Sequence, residues 1–390
     1  HSPAISPYIY MNIKLYMGGG PRGRVRGLLR VAVLAVVFFA AGGQVAWARC
    51  MVTREDFTVG AKAAVVMEAQ SGALLFAQEA HRRLPMASTT KIMTALLTLE
   101  QPGLDEEFIV DPDAIRVEGS SMGLREGDTV TLRALAGGML SASGNDAAGA
   151  AAARIAGSGE DFAALMNQRA RELGMEDTHF VTPSGLDAPE HYSTAYDMAL
   201  LGRAALRNPE LAAMAGAKRV SLFFGNPPYQ RSLLNHNRLL SLYPDAIGIK
   251  TGFTKKAGRC LVSAARRDGV TLIVVTLGCG DDWNVHMALY QRYFPMTRAE
   301  GLQPEGPIRL PVVGGAAGEV ALRPVEQPPL TRVEGWDQPV EQKIFAPNFC
   351  YAPIFDGDIL GKIVYYREGE PVGESPLAAG GNVPLLPAPE

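Results

Sequence analysis

The sequence predicts an α/β protein with an antiparallel sheet among helices, followed by a small all-β domain. Three observations carry this. Strand patterns at about residues 61–77 and 246–277 bracket a run of helical patterns, an order that favours antiparallel α/β mixing over repeated βαβ units. Near residue 300 the texture changes to short β-branched runs punctuated by Pro and Gly. The chain has 390 residues, 47% hydrophobic and 20% charged, enough for more than one domain and a sizeable core.

In chain order, residues 1–48 read as a segment that is not part of the fold. Met17 is the expected start, with non-native or upstream sequence before it. Arg22, Arg24, Arg26 and Arg30 precede the apolar run Val31 to Ala41, and Ala46-Trp47-Ala48 has the small residues of a cleavage site. That is the pattern of a secretory signal peptide. An uncleaved anchor is the alternative, weakened by Gly42, Gly43 and Gln44. Arg49 stands where a lipoprotein needs a small residue before Cys50. The mature chain is therefore expected to be extracytoplasmic, beginning at Arg49.

Residues 49–300 are expected to form the first domain. Ala61 to Ala77 reads as a hairpin turning at Gln70-Ser71-Gly72. Ser88 to Glu100 is helical, with Ile92, Met93, Leu96 and Leu97 on one side. Thr131 to Ser141 and Ala147 to Ala156 are apolar helices separated by Ser143-Gly144-Asn145. Asp161 to Leu173 and Ser193 to Leu206 are amphipathic, the latter opening on a good N-cap. Strands follow around Ala246 to Thr254, Arg259 to Arg266 and Val270 to Leu277, and Asn284 to Phe294 closes as a helix. Residues 301–376 form the expected β domain, and the Ala-, Gly- and Pro-rich 377–390 reads as a frayed tail. There is no internal repeat.

Composition excludes several classes. Lys+Arg number 37 against Asp+Glu 40, a net charge of −3, which gives no electrostatic footprint for nucleic acid. Four cysteines are too few for a disulfide scaffold. Cys260 and Cys279 flank a predicted hairpin and can pair across it or remain buried thiols; both readings stand. None of the six histidines forms a His-Glu-x-x-His or a close metal pair, so no metal is expected. His191 and His236 read as polar loop residues. Gly119-Ser-Ser-Met-Gly123 matches a nucleophile elbow by chance, because the flanking residues read as loop.

Three short motifs carry chemistry. Ser88-Thr89-Thr90-Lys91 puts a hydroxyl and an amine one helical turn apart. The amine can take the hydroxyl proton if burial, a second cation or the helix N-terminus lowers its pKa. Alone the motif is expected about once by chance in such a chain. Ser143-Gly144-Asn145 offers a hydroxyl and an amide from a tight interhelical loop, though Asn145 or Asp146 can equally be a helix cap. Lys250-Thr251-Gly252 lies on an apolar strand, where Gly lets a peptide-like ligand approach the edge and Lys meets its charge. An edge lysine kept for solubility is the bland alternative.

Together and in this order, the motifs resemble those of the penicillin-recognising serine enzymes. The surroundings narrow the resemblance to D-alanyl-D-alanine carboxypeptidases, the low-molecular-mass penicillin-binding proteins. They include Pro85-Met-Ala-Ser-Thr-Thr-Lys-Ile-Met, Thr178-His-Phe, Pro183-Ser-Gly-Leu-Asp187, His191-Tyr-Ser-Thr-Ala-Tyr-Asp-Met-Ala and Gly248-Ile-Lys-Thr-Gly-Phe-Thr. The similarity runs from about Ala61 to Phe294 and into the β domain at Ala352-Pro-Ile-Phe-Asp-Gly-Asp-Ile-Leu-Gly-Lys.

The resemblance implies a transpeptidase- or β-lactamase-like domain with helices on both faces of its sheet, then a β-sandwich. It implies that Ser88 is the acylated nucleophile and Lys91 its base. Ser143 and Lys250 relay a proton to the departing D-alanine, and Lys250 and Thr251 bind the substrate carboxylate. Asn145 holds the substrate amide. Gly252 lies along the substrate strand, and the backbone N–H groups of Ser88 and Phe253 form the oxyanion hole. No cofactor is implied. The partners implied are peptidoglycan stem peptides and β-lactam antibiotics, with membrane or wall association left open. The Glu-x-x-Leu-Asn segment of class A β-lactamases is missing between Asn145 and Lys250. The rival readings are a D,D-endopeptidase, a β-lactamase and a non-catalytic wall-binding protein.

Overall fold

The computed structural model describes residues 57–336 and 338–387. The expected signal peptide and cleavage site lie outside the described residues. In chain order the elements begin with β1 (Ala63–Glu68) and β2 (Leu74–Gln78), a single 3-10 turn Ala87–Thr90, α1 (Lys91–Leu99), β3 (Phe108–Ile109) and β4 (Thr129–Val130). The helices α2 (Leu132–Ser141), α3 (Asn145–Ala156), α4 (Gly159–Glu172), α5 (Ala195–Arg207) and α6 (Pro209–Gly216) follow. Next come β5 (Arg219–Gly225), β6 (Pro228–Leu234), α7 (Leu239–Leu242), β7 (Ala246–Thr254), β8 (Gly258–Arg267), β9 (Val270–Leu277) and α8 (Asp282–Tyr293).

The frame is a five-stranded antiparallel sheet in the order β2-β1-β9-β8-β7. Side chains alternate across a strand, and here both faces are covered, so the strands read as continuous apolar runs. On β1, Ala63, Val65 and Met67 join the core that contains α1, while Ala64 and Val66 join the opposite core with Leu289 and Tyr290 of α8. On β9, Ile273 and Val275 face the first core, and Leu272 and Val274 the second. This is the expected sheet with helices on both faces.

Local chemistry sets the helix starts. The Thr131, Ser158 and Thr194 side chains accept N–H bonds from Ala134, Asp161 and Asp197. Asn208 caps α6 with Pro209 in its first turn, and α3 ends on left-handed Gly157. All nine residues of α1 are buried, so this helix runs through the core rather than along its surface. Cys260 and Cys279 are both buried free thiols, which resolves the open pairing against a disulfide.

The remaining strands are β10 (Thr297–Gly301), β11 (Ile308–Val313), β12 (Glu319–Pro324), β13 (Pro329–Val333), β14 (Glu341–Phe345), β15 (Cys350–Tyr351), β16 (Ile359–Arg367) and β17 (Glu370–Ala379). β10 pairs with β13, and the others form a six-stranded sheet in the order β14-β16-β17-β12-β11-β15. Burial alternates along β11, with Ile308, Leu310 and Val312 inside. The texture change near residue 300 falls within β10. Val333 and Trp336 still pack into the second core of the main sheet.

The expected frayed tail is corrected. Leu377 and Ala379 are fully buried on β17 opposite β12, and Val383 bridges to Ile354. Small apolar residues here fill a core rather than signal disorder. The structure also fills residues 207–245, to which the sequence reading assigned no element, with α6, the β5–β6 hairpin and α7.

Candidate active site

Ser88 sits half-buried on the 3-10 turn that leads into α1. The turn is tight enough that Ala87 holds φ at +50°, a left-handed value uncommon for a residue with a Cβ. Three residues on, Lys91 is fully buried, and its Nζ lies 2.9 Å from Ser88 Oγ. The same Nζ donates to Asn145 Oδ1 at 2.6 Å and to the Ser184 carbonyl at 2.6 Å.

The second motif enters from the α2–α3 connection. Ser143 also holds a left-handed φ, +58°, which turns the chain sharply between the helices and presents the side chain to the site. Lys250 comes from β7, the edge of the main sheet, and its Nζ donates to Ser143 Oγ at 3.0 Å and to the Thr251 carbonyl at 2.9 Å. Helix, loop and strand motifs thus meet in one cluster. Gly252 makes that meeting possible. A Cβ there would lie 3.0 Å from the backbone N of both Ser88 and Thr89 and 3.1 Å from Met86 O. Thr251 is half-exposed and Phe253 is 65% exposed, so β7 leaves the cluster toward solvent.

Burial is the first cause of both lysine shifts. It holds Lys91 well below the usual lysine range, the nearby Lys250 charge lowers it further, and Asp146 opposes. Lys250 is pushed down to about 7 by burial. A neutral amine has two N–H groups and one lone pair. Asn145 Oδ1 and Ser184 O accept only, so together they take both N–H groups of a neutral Lys91. The lone pair is then left to the Ser88 hydroxyl.

Three further residues of the site were given no role in it by the sequence. Ser184 serves through its backbone carbonyl, which no side-chain pattern shows. Asp146 is not a helix cap; Gly144 holds the cap position, without a side-chain bond. The Asp146 carboxylate instead accepts from Ser121 Oγ and from the backbone N of Met122, Gly123 and Leu124, anchoring the 119–124 loop beside the site. The Gly119-to-Gly123 match is therefore loop. His191, read as a polar loop residue, is 5% exposed and packs beneath the nucleophile turn.

The match to the D-alanyl-D-alanine carboxypeptidase family model, Peptidase_S11, covers residues 50–280 and so takes in all three motifs. The chain belongs to this family. It is thereby a serine peptidase, a hydrolase. Among its relatives, the D-alanyl-D-alanine carboxypeptidase DacF of Bacillus subtilis is 33% identical over 82% of this chain and 85% of its own length. DacC of Escherichia coli is 34% identical over 85% and 86%. Among solved structures, the carboxypeptidase DacD from Francisella tularensis matches 86% of this chain and 97% of its own, with a TM-score of 0.61 and 27% identity. Penicillin-binding protein 5 from Haemophilus influenzae matches 85% and 100%, at 0.60 and 28%.

Proposed function

We propose that the protein removes the terminal D-alanine from peptidoglycan stem pentapeptides through an acyl-enzyme on Ser88. The observation that carries this reading is the placement of Lys91: buried, 2.9 Å from Ser88 Oγ, with its N–H groups directed to two carbonyl oxygens. A desolvated amine so arranged is a base for one hydroxyl.

The substrate lies along the outer edge of β7, with its terminal carboxylate on Lys250 and Thr251 and its amide held by Asn145. Ser88 gives its proton to Lys91, and Oγ attacks the carbonyl carbon of the penultimate D-alanine. The backbone N–H groups of Ser88 and Phe253 stabilise the oxyanion as charge develops. As the C–N bond breaks, the Ser143 hydroxyl passes a proton from Lys250 to the leaving nitrogen, and D-alanine departs. The proton held by Lys91 then returns to Lys250, resetting both amines. Water, deprotonated by Lys91, attacks the ester carbonyl, and Oγ leaves with a proton. Penicillins acylate Ser88 because their strained amide and carboxylate mimic the D-alanyl-D-alanine end.

Residues 49–300 serve as the catalytic domain and those from 301 onward as the β domain. The Arg-rich, apolar N-terminal pattern supports an extracytoplasmic location, where the wall substrate lies. No helix among the described residues is long and apolar enough to cross a membrane. The test is D-alanine release from an acylated tripeptide ending in D-alanyl-D-alanine, with a cross-linked dimer as comparator. Release from the tripeptide that vanishes in Ser88→Ala is expected. Cleavage of the dimer alone would point to an endopeptidase, and no turnover of either to a wall-binding protein.

A further inference from the structure

His191 makes more of the site than its place in a loop suggests. Its ring is 5% exposed and stands edge-on to Phe180, with centroids 6.1 Å apart. Nδ1 accepts the Val181 N–H at 2.9 Å, which leaves the ring hydrogen on Nε2. Nε2 lies 3.0 Å from Thr90 Oγ1, so the imidazole donates to a hydroxyl on the nucleophile turn, one residue before Lys91. Burial, with His179 and Lys256 nearby, lowers its pKa to about 4, so the ring keeps one N–H and one lone pair at neutral pH.

The ring therefore joins two segments. One is the turn carrying Ser88. The other is the 180–187 loop, which gives two carbonyls to α1: Pro183 O accepts from Thr94 Oγ1 at 2.6 Å, and Ser184 O accepts from Lys91 Nζ at 2.6 Å. The loop is pressed hard against the turn. Gly185 has φ +82°, and a Cβ on it would stand 2.1 Å from Ala87 O and 2.8 Å from Thr90 Oγ1. Such a seat is held only if both sides are pinned.

We propose that His191 is a positioning residue for acylation: by bridging Val181 N–H and Thr90 Oγ1 it fixes the Ser184 carbonyl, and this carbonyl aims the Lys91 lone pair at Ser88. The proposal rests on the reading of Lys91 as base. The ring's hydrogen bonds go to Thr90, Val181 and Thr182, and none goes to Ser88, Phe253 or Lys250. Its loss therefore slows the chemical step and leaves recognition of the carboxylate in place. Small displacements of a reacting group cost about tenfold to a hundredfold in rate.

The test uses stopped-flow acylation by a fluorescent penicillin, resolving the pre-covalent Kd from the acylation rate constant. His191→Asn keeps an acceptor for Val181 and removes the donor to Thr90. Thr90→Val removes the same bond from the other side and leaves the Val181 contact intact. Each is expected to lower the rate constant by about tenfold or more with Kd within about twofold, and the double variant to be no worse than either single. A rate constant within about twofold of the parent in folded Thr90→Val overturns the proposal, as does a loss confined to Kd. Should His191→Asn not fold, Thr90→Val decides alone. If the parent itself forms no adduct, the reading of Ser88 and Lys91 fails, an outcome distinct from failure of the His191 bridge.

Discussion

The main-sheet region and the C-terminal β region are built by the same rules but keep them to different degrees. Along β11 and β12 apolar residues alternate inward, Arg309 pairs with Glu319 and Lys362 with Glu374 in the open, and the buried Arg367 donates to the Thr331 carbonyl. The main-sheet region buries Lys91, Lys250 and Asp146 close together and holds Ala87 and Ser143 at left-handed φ beside them. These departures cost stability singly, and they gather within one cluster of hydrogen bonds. Single departures of this kind occur elsewhere, at Glu79, Asp268 and Glu368 for φ and at Glu68, Asp282 and Arg367 for burial, but beside Ser88 several converge, where a buried amine faces a serine.

The sharpest way to break this contrast is Lys91→Met. It keeps the shape of the chain and removes a buried amine, but leaves Asn145 Oδ1 and the Ser184 carbonyl without their donor, so a modest loss of thermal stability is expected. Acylation is expected to fall by about 10² to 10⁴-fold, the usual range for losing a general base. Stopped-flow acylation beside a melting curve checks both. Unchanged acylation would remove Lys91 from the mechanism.

Gly252→Ala tests the close approach of β7 to the nucleophile turn. The new methyl meets backbone rather than a yielding side chain, so Ser88 or β7 must move. Acylation is expected to fall about tenfold to a hundredfold with a smaller change in melting temperature. A parent-like rate would show that the turn has slack.

The two amines also set a pH profile. Lys91 must be neutral to act as base, so kcat/KM falls on the acid side as it gains a proton. Lys250 is pushed down to about 7, and only its charged form attracts a carboxylate, so kcat/KM falls again as pH rises through that value. Lys250→Arg stays charged throughout. It is expected to be slower overall but to lose the alkaline limb and keep the acid one. Persistence of that limb would assign it to another group.

The mildest change concerns the seam between the regions. Gln70 Nε2 donates to Pro329 O and Val372 O, each at 2.8 Å, and Gln70 Oε1 accepts from Thr331 N at 2.7 Å. Gln70→Ala is expected to cost about 1 to 3 kcal/mol in denaturant unfolding, because it leaves backbone groups unpaired. Acylation should stay at the parent rate. A slowed rate would mean that the β region reaches the site.

The two regions were also unequally legible. The main sheet was readable because both its faces are buried and its strands stand out as apolar runs. Ser88, Lys91, Ser143, Asn145 and Lys250 were readable because their chemistry is compact in sequence. Ser184 and His191 were not, since one works through a carbonyl and the other through contacts 101 and 10 residues away in the chain. The β5–β6 hairpin was missed because Phe223 and Tyr229 face solvent, 58% and 55% exposed, and this blurs the expected alternation. Past residue 376, composition suggested a loose end, yet pairing with β12 orders it. Small apolar residues read as tail or core depending on a partner strand that lies far off in sequence.

Everything proposed for the site depends on Ser88 being an acylable serine. Intact mass spectrometry of the protein after addition of benzylpenicillin tests it most directly. A persistent adduct of one drug molecule is expected, absent in Ser88→Ala. An adduct retained in Ser88→Ala, or none in the parent protein, would contradict it, while an adduct that vanishes as the drug is consumed would point to a β-lactamase.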